Sequence, residues 1–261
     1  KEMPLGNGNE NYAALKAFSI CARTYAYNKI KEDKDFFDIY PDTRDQVYGG
    51  VDGETDITNK IVDETKGQLL FYDHEPAVMF YHSTCGGYTE DAKNVFTQED
   101  IPYLKSIKDG NEPYCKISPR YEWIENYNEE IFIDRLFTAK LIENKDYELS
   151  NAKVRSRFES GRVNEFEITL RKSNGEELSV MLIGNRMRSL IKSSDGKSIL
   201  RSNDFDIKVD QNKNMIISGK GSGHGVGLCQ WGAIGQSKLG FDNQEILNHY
   251  FPGTIIKSIY D

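Results

Sequence analysis

The sequence predicts an α+β fold, and three observations carry that prediction. Apolar residues recur at spacings of three and four in some segments and alternate in others, so helices and strands both occur. The two kinds follow one another without the strand–helix–strand rhythm that builds a parallel sheet. The 261 residues, 38 % of them hydrophobic, suffice for a sizeable core. The expected architecture is a mixed helical core with β-hairpins, made by residues 1–120 and 200–261, and a β-rich inserted lobe at residues 121–199.

Leu15, Phe18, Ala22 and Tyr25 predict an amphipathic helix over Tyr12–Lys31, with Asn9 or Asn11 as its N-cap. Phe36–Gly50 is a loop rich in Asp, Pro and Gly. Asp56–Lys66 reads as a second helix that Gly67 stops. Leu69–Tyr72 and Ala77–His82 read as a hairpin around Asp73-His74-Glu75. From about Tyr121 to Leu200 the charge rises. There Arg162–Leu170 and Glu177–Leu182 alternate and are joined at Ser173-Asn174-Gly175, and Asn185–Ile191 suggests a short helix. Phe205–Val209 and Met215–Ser218 follow as strands. Cys229–Leu239 is helical and ends at Gly240. Asp242 and Glu245 make a capping-box start for a last helix, Asn243–Tyr250, which Pro252-Gly253 ends.

The formal net charge of −8, with no basic run to neutralise phosphates, argues against a nucleic-acid partner. No apolar run is long enough to span a bilayer. Lys1-Glu2-Met3-Pro4 does not resemble a signal peptide. It reads as interior sequence, so an upstream export signal or membrane anchor is expected. The four cysteines, Cys21, Cys85, Cys115 and Cys229, form no CxxC and no cluster of zinc-finger spacing, so neither metal nor other cofactor is expected. Cys21 falls on a helix face and reads as a buried free thiol. Cys85 and Cys115 lie in polar, loop-like stretches. They read either as a disulfide, worth about 3–4 kcal/mol in the loop-entropy picture, or as two unpaired thiols.

Two glycine-bearing motifs stand out. In Gly219–Ala233, five glycines alternate around His224 and lead into an apolar helical pattern. The segment is either a tight corner between strand and helix or the floor of a cleft that presents His224 and Gln230. Upstream, Tyr81-His82-Ser83-Thr84-Cys85-Gly86-Gly87-Tyr88-Thr89-Glu90 ends a strand in polar side chains and permissive backbone.

The motifs, in their order along the chain, resemble the stage II sporulation protein D and amidase-enhancer domain family. The resemblance rests on Glu2-Met3-Pro4, Tyr12–Phe18, Ala22–Ala26, Asp42-Thr43, Asp45–Gly50, Tyr81–Glu90, Pro102-Tyr103-Leu104, Leu200-Arg201-Ser202, Gly223–Ala233 and Glu245–Gly253. It implies a peptidoglycan lytic transglycosylase that cuts the MurNAc–GlcNAc bond without water and leaves a 1,6-anhydro-MurNAc end. It also implies an extracytoplasmic, wall-associated setting and glycan strands already stripped of stem peptides by a partner amidase. The family's catalytic glutamate corresponds to Glu2. His82, Ser83, Thr84, Gly86, Gly87, Tyr88, Thr89, His224 and Gln230 become candidate sugar contacts, with bracing of the loops as the equal alternative for both histidines. Asp45, Gln46 and Tyr48 read more simply as holding a turn.

One carboxyl group suffices for such a reaction. Glu2 as the acid would protonate the leaving glycosidic oxygen. As carboxylate it would then take the proton of the sugar's own 6-hydroxyl, which attacks C1 in place of water. The chain departs from the family in two places. Some members carry a zinc site of Cys and His in the segment matching Asp42–Tyr48, where this chain has neither residue type, and many have Ser where this chain has Cys229. Two other functions compete. One is a non-catalytic glycan-binding, amidase-enhancing module. The other is a hydrolase built on Cys85, His82 and His224, whose spacing suits no metal motif.

Overall fold

The computed structural model describes residues 3–4, 6, 10–30, 36–42, 44–97 and 99–260. Among these the chain forms α1 (Tyr12–Ile30), α2 (Asp56–Glu64), β1 (Gln68–Tyr72), β2 (Glu75–Pro76), β3 (Tyr81–His82), β4 (Glu122–Tyr127), α3 (Glu129–Thr138) and β5 (Glu148–Arg157). It continues with β6 (Val163–Arg171), β7 (Glu177–Ile183), α4 (Met187–Ile191), β8 (Asp204–Val209), β9 (Met215–Lys220), β10 (Leu228–Cys229), α5 (Gln230–Lys238), α6 (Asn243–Tyr250) and β11 (Ile255–Ser258). The fold is α+β, with several small sheets instead of one large one.

Two hydrophobic cores organise these elements. The first packs Leu15, Ile20, Ile61, Leu70, Met79, Leu104, Leu228, Ile234, Leu247 and Phe251, drawn from both ends of the chain. Helix α1 runs through it. Arg23 ties α1 to the next turn by donating to the carbonyls of Thr65 at 2.7 Å and Gln68 at 3.2 Å, and the Thr24 hydroxyl accepts the Leu70 N–H at 2.9 Å. The second core packs Trp123, Phe132, Phe166, Ile168, Leu182, Met187, Phe205 and Ile217. Around it stand two antiparallel three-stranded sheets, ordered β4-β9-β8 and β5-β6-β7. Strands β8 and β9 thus pack with residues 121–199.

Several ends follow from local chemistry. Asp242 and Glu245 make the reciprocal capping box at α6, each at 2.8 Å. The Asn128 side chain caps α3 through the Ile131 N–H at 2.8 Å. The expected hairpin is only half present. Asp73 and His74 turn with φ of 47° and 70°, the sign a two-residue hairpin turn needs, but the return strand ends at Pro76. Tyr81 and His82 instead pair in parallel with Leu228 and Cys229. The misread segment belongs to a non-local ladder.

That ladder brings the two glycine-bearing motifs together. The Phe80 carbonyl accepts the Leu228 N–H at 3.0 Å, Thr84 and Ser222 exchange bonds of 2.9 and 2.8 Å, and the Ser83 carbonyl accepts the Trp231 N–H at 3.0 Å. Backbone meets backbone here without room for side chains. At Gly227, φ is +71° and an added Cβ would collide with the Phe80 carbonyl oxygen. Gly175, in the β6–β7 turn, has φ +88° but open space around it. Gly227→Ala should therefore cost roughly 2–4 kcal/mol of stability and Gly175→Ala only about 1 kcal/mol. Urea denaturation of both variants checks this, and equal losses would show that the close approach is not what demands glycine.

Candidate functional site

Where the two motifs join, they open into a cleft of about 990 Å³. His82, Ser83, His224 and Gln230 line it together with Phe80, Tyr81, Phe96 and Trp231. Phe80 stacks on Phe96 with centroids 4.4 Å apart, and Phe96 meets His224 edge-on at 4.8 Å. The wall is thus aromatic and apolar with a few polar groups inset, as ligand sites are. Met3, 3 % exposed, and Pro4 also line it. Glu2, the expected catalytic residue, lies outside the described residues.

The other sequence candidates fall elsewhere. Gly86, Gly87 and Tyr88 line a separate groove with Trp123 and Lys108. Thr84 is buried and shares a 2.8 Å hydrogen bond with Ser118. Thr89 is buried too, its hydroxyl accepting the Ile107 N–H at 2.9 Å, so both threonines brace loops in this structure. Asp45 lines the cleft while accepting the Tyr25 hydroxyl at 2.6 Å and the Tyr40 N–H at 2.9 Å. Gln46 donates to the Ala22 carbonyl at 2.9 Å. The aromatic lining and the cationic side chains Arg44, Arg120 and Arg188 were not among the sequence candidates. Trp231, directly after Gln230, carried a local signal; Arg188, from the distant lobe, carried none.

The histidines differ in what they have left to offer. Nε2 of His224 lies 2.9 Å from the Tyr81 carbonyl and its Nδ1 accepts the Val226 N–H at 3.1 Å, which sets a proton on Nε2 and occupies both nitrogens. Nδ1 of His82 lies 3.1 Å from the Val226 carbonyl, so it carries the proton, and its Nε2 is a buried acceptor without a hydrogen-bond partner among the described residues. Burial, joined by His224 and Arg162, holds His82 well below the usual histidine range. Burial also takes His224 down to about 3, and the Arg188 and Arg162 charges act in the same direction. Both imidazoles are neutral near pH 7. They can brace loops or accept a hydrogen bond, but they cannot serve as proton donors of the imidazolium kind.

The segment matching the zinc site of some family members does not fit that ion. Its described residues, Asp42 and Arg44 to Tyr48, contain no thiol or imidazole, and the Asp42 carboxylate is paired with Arg44 at 2.5 Å. Hydrogen bonds from that guanidinium hold Asp42 down at about 2. Cys85 and Cys115, expected either as a disulfide or as separate thiols, are free thiols whose sulfurs stand 3.4 Å apart. Cys21 is a buried free thiol against Met79.

Neutral buried imidazoles make the fold acid-sensitive. A histidine with a depressed folded pKa takes up its proton first in the unfolded chain, so acid favours unfolding. The stability is complete above about pH 6.5 and is lost as pH falls from there toward about 3. For His224 alone the loss between pH 7 and pH 5 should be about 2 kcal/mol. Urea titrations at both pH values check it: His224→Gln should shrink the pH difference by that amount, and an unchanged difference would mean that His224 is not held neutral.

Comparison with known proteins agrees with the motifs. A family model described as stage II sporulation protein matches residues 2–72. An uncharacterized protein of Brachyspira hyodysenteriae is 32 % identical over 248 residues, covering 93 % of this chain and 61 % of that protein. The amidase enhancer of Bacillus subtilis is 29 % identical over 280 residues, covering 94 % of this chain and 38 % of its own length. Stage II sporulation protein D of Bacillus subtilis is 28 % identical over 261 residues, 93 % of this chain and 68 % of that protein. The chain therefore spans less than two thirds of the first two relatives' length. With its ordered motifs paired in one ladder, the chain is similar over nearly its whole length to stage II sporulation protein D and the amidase enhancer, and its residues 2–72 match the stage II sporulation protein family.

Proposed function

We propose that this chain is a peptidoglycan lytic transglycosylase that acts outside the cytoplasm on glycan strands freed of stem peptides. The observation that carries the reading is the cleft itself: Met3 and Pro4, which follow Glu2 in sequence, line it together with the two glycine-bearing motifs. Aromatic rings there offer faces for sugar rings. Among the described residues Asp45 is the one carboxylate in the lining, and the Tyr25 hydroxyl and Tyr40 N–H already hold its two oxygens. That supports a reaction run by one acid instead of a two-carboxylate hydrolysis.

In this reading Glu2 gives its proton to the glycosidic oxygen as the C1–O bond breaks. The same carboxylate then receives the proton of the 6-hydroxyl as that oxygen bonds to C1. Water takes no part and Glu2 ends protonated, ready for another cycle. One charge in the lining suits the substrate. MurNAc without its stem peptide carries a free lactyl carboxylate, and Arg120 lines the cleft, where Arg44 is already paired with Asp42 and Arg188 with backbone carbonyls. A wall amidase that strips the peptides is the matching partner, and the relative named amidase enhancer is consistent with such a pairing. Among the described residues no helix is long and apolar enough to cross a membrane.

Glu2→Gln should lower glycan cleavage by about 100-fold or more while leaving the fold intact, since it removes the proton and keeps the shape. Mass spectrometry of products from peptide-free glycan strands checks both the residue and the reaction. Anhydro ends from the wild type and none from the variant are expected. Reducing MurNAc ends would instead indicate hydrolysis, with Asp45 as the second carboxylate to test. Stimulation of an amidase that survives in Glu2→Gln, with no cleavage by the wild type, would favour the non-catalytic enhancer reading.

A further inference from the structure

Behind the cleft, three sulfurs and one carboxyl group converge from distant parts of the chain. The Sγ atoms of Cys85, Cys115 and Cys229 and a carboxylate oxygen of Asp109 all lie within 4.8 Å of one another, and all four residues are buried. The sulfurs of Cys85 and Cys115 are 3.4 Å apart. A tetrahedral zinc ion with bonds of about 2.3 Å sets its sulfurs about 3.8 Å apart. The donors already stand near the corners of such a site.

Hydrogen-bond donors point at two of the four groups. Cys229 Sγ accepts the backbone N–H groups of Cys85 and Gly232, each at 3.2 Å. It is the N-cap of α5, where the helix dipole favours a thiolate. Asp109 accepts the Cys115 N–H at 2.8 Å on Oδ2 and the Tyr250 hydroxyl at 2.6 Å on Oδ1. Such bonds orient ligands around a metal. Asp109 is fully buried, and among the described residues no Lys, Arg or His forms an ion pair with it. A disulfide between Cys85 and Cys115 would take in two of the four converging groups and leave the Cys229 sulfur and Asp109 outside it. A divalent cation would take all four groups as ligands.

We propose that Cys85, Asp109, Cys115 and Cys229 bind a structural divalent cation of the thiolate-preferring class, namely zinc. The thiols give their protons to solvent as the metal–sulfur bonds form, and no electron is transferred. Four protein donors close the shell, which makes the ion a fold element and not a Lewis acid for substrate. It pins the loop after His82 to the start of α5, directly behind Gln230. This replaces the expectation of a metal-free chain. Cys85 lies 30 residues from Cys115 and 144 from Cys229, a spacing that matches no zinc motif.

The test reads metal and thiols, independently of any wall-cutting activity. Protein recovered from its native cells without added reductant should contain one zinc ion per chain by mass spectrometry of the elements, and all four cysteines should alkylate after denaturation. A metal-free chain, whether it carries four free thiols or a Cys85–Cys115 crosslink, overturns the proposal. Reduced apo-protein titrated with cobalt should develop the intense thiolate-to-cobalt absorption of a tetrahedral site. Cys229→Ser should weaken that binding at least about tenfold, and Asp109→Asn, which keeps the shape, serves if the first variant fails to fold. Unchanged cobalt affinity in the folded variant overturns the assignment.

Discussion

The structure depends on one backbone seam. Residues 80–90 and 222–231 lie against each other closely enough for their peptide groups to bond directly, through the parallel pair β3–β10 and the Thr84–Ser222 bridge. The alternating glycines exist for that seam. Their missing side chains clear carbonyl groups and a guanidinium of the protein itself, as at Gly227 against Phe80 and Gly225 against Arg162. Of the two readings open from sequence, the tight corner explains the glycines, while the cleft explains the residues set between them. His224 shows both at once: its ring nitrogens hold the seam, and the residue lines the cleft.

Two buried cations reinforce the seam from the side of the second core. Arg162, at the β5–β6 turn, donates to the carbonyls of Tyr88 at 2.8 Å and Cys85 at 2.5 Å. Arg188, on α4, donates to the carbonyls of Leu200 at 2.8 Å and Arg201 at 3.0 Å. Charge-assisted bonds of this kind are stronger than neutral ones and satisfy carbonyls that loops would otherwise leave unpaired. They add to burial, the larger cause, in keeping the histidines neutral, because a second positive charge beside a buried guanidinium is unfavourable. The lobe is therefore part of the cleft's construction and not an appendage to it.

What could be read from the sequence was what local chemistry decides. Helix α1 followed from the spacing of Leu15, Phe18, Ala22 and Tyr25, and α6 from its capping box. The β6–β7 hairpin followed from its alternation and its Ser173-Asn174-Gly175 turn. Strand β4 went unplaced because Ile124 faces outward and Glu125 inward, against the usual alternation, and helix α3 because Ile131 and Phe137 stay exposed beside the buried Phe132, Ile133 and Leu136. The segment Ala77–His82 was given to the wrong partner, since its true one lies near the other end of the chain. The same limit applies to the cleft. Its motif residues were visible one by one, but Arg188 and Phe96 enter only through tertiary packing. The convergence of Asp109 with three separated cysteines had no sequence signature either.

The seam also sets a schedule for making the protein. His224 and the Tyr81 carbonyl that its ring binds are 143 residues apart. A ribosome adding ~5–20 residues per second needs roughly seven to thirty seconds to cover that distance. Throughout that interval β3 has an open edge and the first core lacks α5 and α6, which bury its C-terminal third. Contacts so distant in sequence also close slowly once both partners exist. The segments made first must therefore stay unaggregated, and without a cleft, until α5 and α6 have been made.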